Sequence, residues 1–286
     1  MPNVFLTPDI IAREALMVLR NNAVMANLVH RDYSNEFVAG AGDTVTIRKP
    51  AKFTAQEYTS DITVQDANED GVAVKLDKHL DVSFAVTSAQ MTMDIADFSA
   101  QLLVPAMQAF ADKVDSYLLA LANAVTHKVT GTAEIQNDIV DVRAFLTKAA
   151  APLTERRFVY NSDTEAKLLK TDLFRDAAKV GDDGTALREA SLGRKFGMDF
   201  YVDQNADAAG VAGVAFHKNA FALVTRPLAL PSGAAKAAIV NYDGFGLRVV
   251  YDYDIHTKTD TVSIDMICGV KTINDDLAAT LTGIGA

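Results

Sequence analysis

The chain has 286 residues, enough for one large domain or two moderate ones. Apolar residues make up 49% and charged residues 22%, which allows a sizeable core and excludes extensive disorder. A formal net charge of -10 makes the whole molecule a poor match for a nucleic-acid backbone, and a single cysteine excludes an intramolecular disulfide. Met1 to Leu6 lacks the basic and apolar regions of a signal peptide. No apolar run of about 18 residues is present, so no membrane partner is expected and a reducing cytoplasm is the expected setting. The first predicted element is a helix, with Thr7 as N-cap and Pro8 at its first position. Asp9 then favours the positive end of the dipole, and Ile10, Ile11, Leu16, Val18 and Leu19 form its apolar stripe. One short helix buries little by itself, so residues 1 to about 40 read as an arm that packs on another body, such as a neighbouring subunit.

Gly40 and Gly42 break the pattern, and Thr44-Val45-Thr46-Ile47-Arg48 alternates as a half-buried strand does. After a polar stretch from Thr54 to Asp70, Val72, Val74 and Leu76 resume the two-residue period, and Val82, Phe84 and Val86 continue it. An excursion of roughly 25 residues is too long for a compact turn, so the hairpin tip should project. Phe98, Leu102, Leu103, Met107, Phe110, Val114, Leu118, Leu121 and Val125 recur at steps of mostly three and four. They predict a helix of roughly 30 residues, bent at Pro105, or one that starts near Pro105. A second helix spans Ile135 to Ala150. Arg156 to Tyr160 reads as a strand, and Ser162-Asp163-Thr164-Glu165 as a capping box. Phe196 to Val202, Val211 to Phe216, Gly246 to Tyr253 and Thr261 to Cys268 read as strands. Helices and strands do not alternate regularly, which makes the fold class α+β.

No constellation for catalysis emerges, so no catalytic residue, cofactor or metal ligand is assigned. His30, His79, His127, His217 and His256 show no ligand spacing, and the nucleophile-elbow, Walker and dinucleotide motifs are absent. Asp66-Ala67-Asn68-Glu69-Asp70-Gly71, with Asp77 at the twelfth position, matches the start of a calcium loop. Its strand-like flanks contradict an EF-hand, so a solvated acidic turn is the stronger reading. Arg156-Arg157 offers an anion grip, against which a solvated or salt-bridged strand end weighs more. Cys268 lies in an apolar strand-like run and reads as a buried thiol. Asp182-Asp183 and Asp275-Asp276 neighbour each other in sequence only.

The order of elements carries more information than any motif. Leu6 to Leu16, Val24 to Val29, Gly42 to Pro50 and Pro105 to Asp115 are joined by Ala215 to Ala220 and Tyr242-Asp243-Gly244. Together they resemble the major capsid proteins of tailed bacteriophages with the Hong Kong 97-type fold, the P-22-like coat-protein group in particular. The resemblance spans nearly the whole chain. It implies an N-arm (1–40), an E-loop hairpin (41–81), a P-domain with its spine helix (82–134), an A-domain (135–244) and returning P-domain strands (245–286). The best-known member of the group is longer and has an inserted domain, for which this chain has no room.

The resemblance implies a structural role without enzymatic activity, as a shell of pentamers and hexamers assembled in the host cytoplasm to form the virion head. It implies a scaffolding protein and a portal protein as partners, and packaged DNA touched only through non-specific interior contacts. Hairpin residues Arg48, Lys49, Lys52, Glu57, Asp61, Glu69 and Asp70 are the subunit-interface candidates. Asp9 and Glu14 on the first helix are the scaffold-contact candidates. Encapsulin-like compartment shells share the fold and are the nearest rival; a soluble enzyme or ligand binder is a more distant one.

Overall fold

The computed structural model describes residues 8–31, 44–48, 53–57, 64, 71–87, 102–175, 192–233, 236–242 and 245–283. In chain order come α1 (Pro8–Asn22), α2 (Met25–Leu28), β1 (Thr44–Arg48), β2 (Gly71–Lys75), β3 (Lys78–Thr87), α3 (Val104–Asn123), β4 (Lys128–Thr130), α4 (Ile135–Lys148), β5 (Arg156–Tyr160), α5 (Ser162–Lys170) and α6 (Asp172–Arg175). They are followed by β6 (Arg194–Lys195), β7 (Met198–Val202), α7 (Asn205–Ala209), β8 (Gly213–His217), β9 (Phe221–Arg226), β10 (Lys236–Tyr242), β11 (Phe245–Asp254), β12 (Thr259–Thr272) and β13 (Ala278–Thr282).

Strand β12 is the axis of an antiparallel sheet ordered β10-β11-β12-β3. Its C-terminal residues also pair with β9, from Ile267↔Arg226 to Thr272↔Phe221. Strict alternation decides the two faces. Phe245, Leu247 and Val249 of β11 and Val262, Ile264, Met266 and Cys268 of β12 are buried on one face. Arg248, Ser263 and Asp265 stand at the intervening positions and give the other face its polarity.

Helix α3 covers the apolar face, burying Met107, Phe110, Ala111, Val114, Leu118 and Leu119 in the same core. Each such large side chain contributes about 1.5–3 kcal/mol by leaving water. The α-helix spans 20 residues, and the start of the longer of the two lengths expected, with Phe98, lies outside the described residues. Pro105 occupies its first turn, where a missing N–H costs nothing, and Leu102 and Leu103 directly ahead of it form a wider helical turn.

Helix α1 also packs on this core, with Ile11, Ala12, Ala15, Leu16 and Leu19 buried against α3, β10 and β11. His30 then pairs with β9: its N–H donates to Phe221 O at 3.1 Å and its carbonyl accepts from Leu223 N at 3.0 Å. The described part of the presumed arm is thus docked on its own chain. The apolar stripe that called for a partner surface finds one in the sheet and long helix that follow it.

The second sheet is mixed and ordered β4-β13-β8-β5-β7-β6, with β13–β4 and β5–β7 parallel. Helix α4 closes one side through Ile135, Ile139, Val142 and Leu146, which share a core with Phe158, Tyr160, Phe174, Met198 and Phe200. Two expectations shift here. The cap of α5 is Asn161, whose Oδ1 accepts from Thr164 N at 2.9 Å, one residue ahead of the expected box. Phe196 belongs to a two-residue turn rather than a strand. Phe196 (φ 49) and Gly197 (φ 75) are both left-handed, the arrangement that suits a tight hairpin between β6 and β7. Arg143 Nε donates to the Phe196 carbonyl at 2.6 Å and holds that turn to α4.

Candidate assembly surfaces

The hairpin is the feature a single chain explains least. Strands β1 and β2 pair antiparallel from Thr44↔Lys75 to Arg48↔Gly71. Their inward residues Val45, Ile47 and Val74 form a small core with Ala222 and Val224 of β9 and with Ile273. Beyond that root the described residues are in water. Residues 53–57 are all exposed, including Phe53 at 64% and Glu57, and Val64 is 86% exposed. Phe53 and Val64 are thus large apolar groups in water on the segment that joins the two strands.

The root itself is tightly built. Leu76 and Asp77 carry the chain from β2 directly into β3, which has joined the large sheet by Lys78↔Cys268. The pairing of β1 with β2 thus gives way to the large sheet from Lys78 onward. At the crossing, β12 presents Gly269, and a Cβ added there would lie 2.3 Å from the Lys75 carbonyl oxygen. Only a glycine lets these two backbones approach so closely.

Of the interface candidates, Glu57 is described and exposed. Arg48 closes β1, but its side chain lies outside the described residues, as do Lys49, Lys52, Asp61, Glu69 and Asp70. Asp9 lies in α1, with its side chain outside the described residues, and Glu14 is half-buried on the same helix. The outer face of α1 also exposes Ile10 at 46% and Met17 at 66%. Asp66, Asn68 and Asp70 of the calcium-like motif are outside the described residues as well. Residues 71–75, which a calcium loop would use, form the paired strand β2, and Asp77 bonds to Lys78 Nζ at 3.1 Å.

A second exposed feature is the turn between β11 and β12. Tyr253 and Ile255 project from it into solvent. Asp254 fixes its shape by accepting from His256 N at 2.8 Å and Thr257 Oγ1 at 2.9 Å, which holds the Asp254 carboxyl below its ordinary range. The polar face of the sheet carries the largely buried Arg248–Asp265 pair. Arg248 Nε donates to Asp265 Oδ1 at 2.9 Å, its second nitrogen meets Oδ2, and His79 Nε2 lies 3.5 Å from the same carboxylate. Ser263 and Ser83 both donate to Asp81 beside it.

The remaining singled-out residues are structural. Arg156 is 1% exposed and is no anion grip. It donates to the carbonyls of Pro152 at 2.8 Å and Ala151 at 2.7 Å and to Thr147 Oγ1 at 3.0 Å. Arg157 donates to the Leu28 carbonyl and ties β5 to α2. His217 accepts from Asn219 N at 3.2 Å, and burial lowers its pKa. The buried Cys268 thiol is pushed up to about 12 by desolvation. Only a thiolate attacks. An aromatic disulfide reagent at mildly alkaline pH should therefore leave the native protein unlabelled and label it once denatured; prompt labelling of the native protein would contradict this burial.

Among the described residues no group of His, Cys, Asp and Glu could hold a metal ion, and no helix is long and apolar enough to cross a membrane. A shallow open depression lined by Asn161, Asp163, Lys167 and Lys170 brings no acid, base and nucleophile together.

No protein-family model and no curated protein matches the sequence. Solved structures do match. A chain of Mycobacterium phage Che8 is 20% identical and superposes with a TM-score of 0.70, covering 92% of each chain. A chain from the mature capsid of bacteriophage PhiM1 is 12% identical, with a TM-score of 0.59 over 85% of this chain and 82% of that one. A virus-like particle from Pyrococcus furiosus is 12% identical, with a TM-score of 0.53 over 95% of this chain and 97% of that one. The fold is the α+β Hong Kong 97-type fold of phage capsid shells, as the order of elements implied.

Proposed function

We propose that this chain is the major capsid protein of a tailed bacteriophage, a structural protein whose copies close into the icosahedral head shell around phage DNA. The observation that carries the reading is the hairpin. It is rooted firmly on β9 and β12, yet residues 53–57 and 64 expose Phe53 and Val64 to water. A neighbouring copy would cover them. Head-to-tail contacts of this kind close into rings, here pentamers and hexamers, and many modest contacts then add through multivalency. In this reading, residues 1–40 are the N-arm, 41–81 the E-loop, 82–134 and 245–286 the P-domain, and 135–244 the A-domain.

Arg48, Lys49, Lys52, Glu57, Asp61, Glu69 and Asp70 set the register of the hairpin on its neighbour through charge complementarity. A scaffolding protein assists assembly through Asp9 and Glu14, a portal protein occupies one vertex, and packaged DNA meets the interior without sequence preference. Charge reversal at Asp9 and Glu14 should abolish scaffold-dependent assembly; unchanged assembly would remove these residues from the scaffold contact. A compartment shell that encloses protein is the second reading, favoured by the particle from Pyrococcus furiosus but at a lower TM-score than the Che8 chain. The particle's contents decide. Nuclease-protected DNA in particles from the producing lysate is expected, and a protein cargo without DNA would overturn the phage reading.

A further inference from the structure

Two buried carboxyls stand where neighbouring segments pack on the long helix. Asp115, on the inner face of α3, is 1% exposed. Its Oδ2 accepts from Val24 N at 2.7 Å and its Oδ1 from Ala26 N at 2.8 Å, so it pins the corner between α1 and α2. Asp203, between β7 and α7, is 2% exposed. Its Oδ1 accepts from Asn205 N at 2.9 Å and fixes the start of α7, which packs on α3. Its Oδ2 is buried and has no hydrogen-bond partner among the described residues.

The charges that act on this pair are acids. Asp203 acts on Asp115, and Asp112, one turn earlier on α3, acts on Asp203. Among the described residues, three other charged groups nearby in the chain have partners elsewhere. Lys113 lies over the Tyr117 ring, Arg31 lies over the Phe245 ring, and Asp207 accepts from Ser162 Oγ. Two like charges buried together are costly, and a single proton removes the conflict. The unpartnered Asp203 Oδ2 is where a proton is least opposed, since both Asp115 oxygens already accept backbone N–H groups.

We propose that Asp115 and Asp203 form a proton-dependent latch, which holds the corner Val24–Ala26 and helix α7 on the long helix while at least one of the two carboxyls keeps its proton and loosens when both ionise. Burial, and then the neighbouring Asp203, pushes the Asp115 carboxyl up to about 7, and burial raises Asp203 as well. The sign follows. A carboxyl whose docked pKa exceeds its free value binds more protons when docked. Docking is therefore strongest below the free carboxylate range, weakens as pH rises from about 4 to about 7, and stays weak above that. The latch belongs to the fold of one chain and does not depend on what the shell encloses.

Hydrogen–deuterium exchange of the peptide spanning residues 23–28 tests it, with rates corrected for intrinsic pH dependence. In the unmodified full chain, protection should fall by roughly tenfold or more between about pH 5 and pH 8. In Asp203→Asn, which keeps the shape and removes one ionisation, the fall should be clearly smaller than in the unmodified chain, with the part set by the burial of Asp115 remaining. An unchanged pH profile in Asp203→Asn would overturn the latch. Should that variant fail to fold, isotope-edited infrared titration of the wild-type carboxyls decides. An aspartate that keeps its proton near neutral pH is expected; ordinary acidic titration of every aspartate would overturn the proposal.

Discussion

Replacing Gly269 by alanine should unseat the hairpin from the large sheet while leaving the sheet itself folded. The added Cβ would lie 2.3 Å from the Lys75 carbonyl oxygen, 2.9 Å from the carbonyl carbon and 3.3 Å from Val74 Cγ1. The first two are backbone atoms, so no rotamer relieves the clash and β2 must move. Moving β2 pulls Val74 away from Val45, Ile47, Ala222 and Val224, the core that roots the hairpin. Overpacking of this kind costs about 1–3 kcal/mol. For a chain of this size that lowers Tm by roughly 2–4 °C per kcal/mol. On the proposed reading the larger effect falls on assembly, because a hairpin a few ångströms out of place would no longer reach its neighbour. Calorimetry should show a modest loss of stability, and electron microscopy a near-complete loss of regular shells. Normal shells from Gly269→Ala would mean that the hairpin's seat is unimportant.

Arg156→Ala should be among the most destabilising single changes in the molecule, at about 3–5 kcal/mol. The guanidinium fills the bend between α4 and β5 and satisfies the Pro152 and Ala151 carbonyls and the Thr147 hydroxyl. Alanine leaves a cavity and the buried Ala151 carbonyl without its donor, which alone costs about 1–3 kcal/mol. Strand β5 is interior to its sheet, between β7 and β8, so its displacement reaches both neighbours. Arg156→Lys keeps the charge but cannot serve three diverging acceptors, and should recover only part of the loss. Urea unfolding measures both; a shift under about 0.5 kcal/mol for Arg156→Ala, the range of surface changes, would show that the bend does not depend on this side chain.

Where the pattern is periodic, the fold was legible in the sequence. The alternation of Val45 and Ile47 with Val72 and Val74 gave the hairpin and its inward face. The steps of three and four around Phe110 and Leu118 gave the long helix. Residues whose state depends on distant segments were not legible. Arg156 in a strand reads as a surface charge, because burial of an arginine requires acceptors that only the fold assembles. Asp115 and Asp203 look like ordinary surface aspartates until α7 and the corner at Val24–Ala26 are brought to the long helix. Asn161 and Ser162 are both good caps, and local pattern does not choose between adjacent ones. Strands β9, β10 and β13 carry alanine and little alternation, so their place follows from pairing with β12, β11 and β8. The candidate contacts are harder still, because a contact between copies leaves no signature within one chain, whose pattern says only that the hairpin projects.

The central claim is that the exposed hairpin is an interface between copies in a closed shell. Cryo-electron microscopy of the expressed full chain, with and without a scaffolding protein, tests this most directly. The expected result is a closed icosahedral shell in which density for residues 49–70 lies on an adjacent subunit and covers Phe53 and Val64. A monodisperse single chain at high protein concentration under both conditions, or a shell in which the hairpin touches no neighbour, would contradict it.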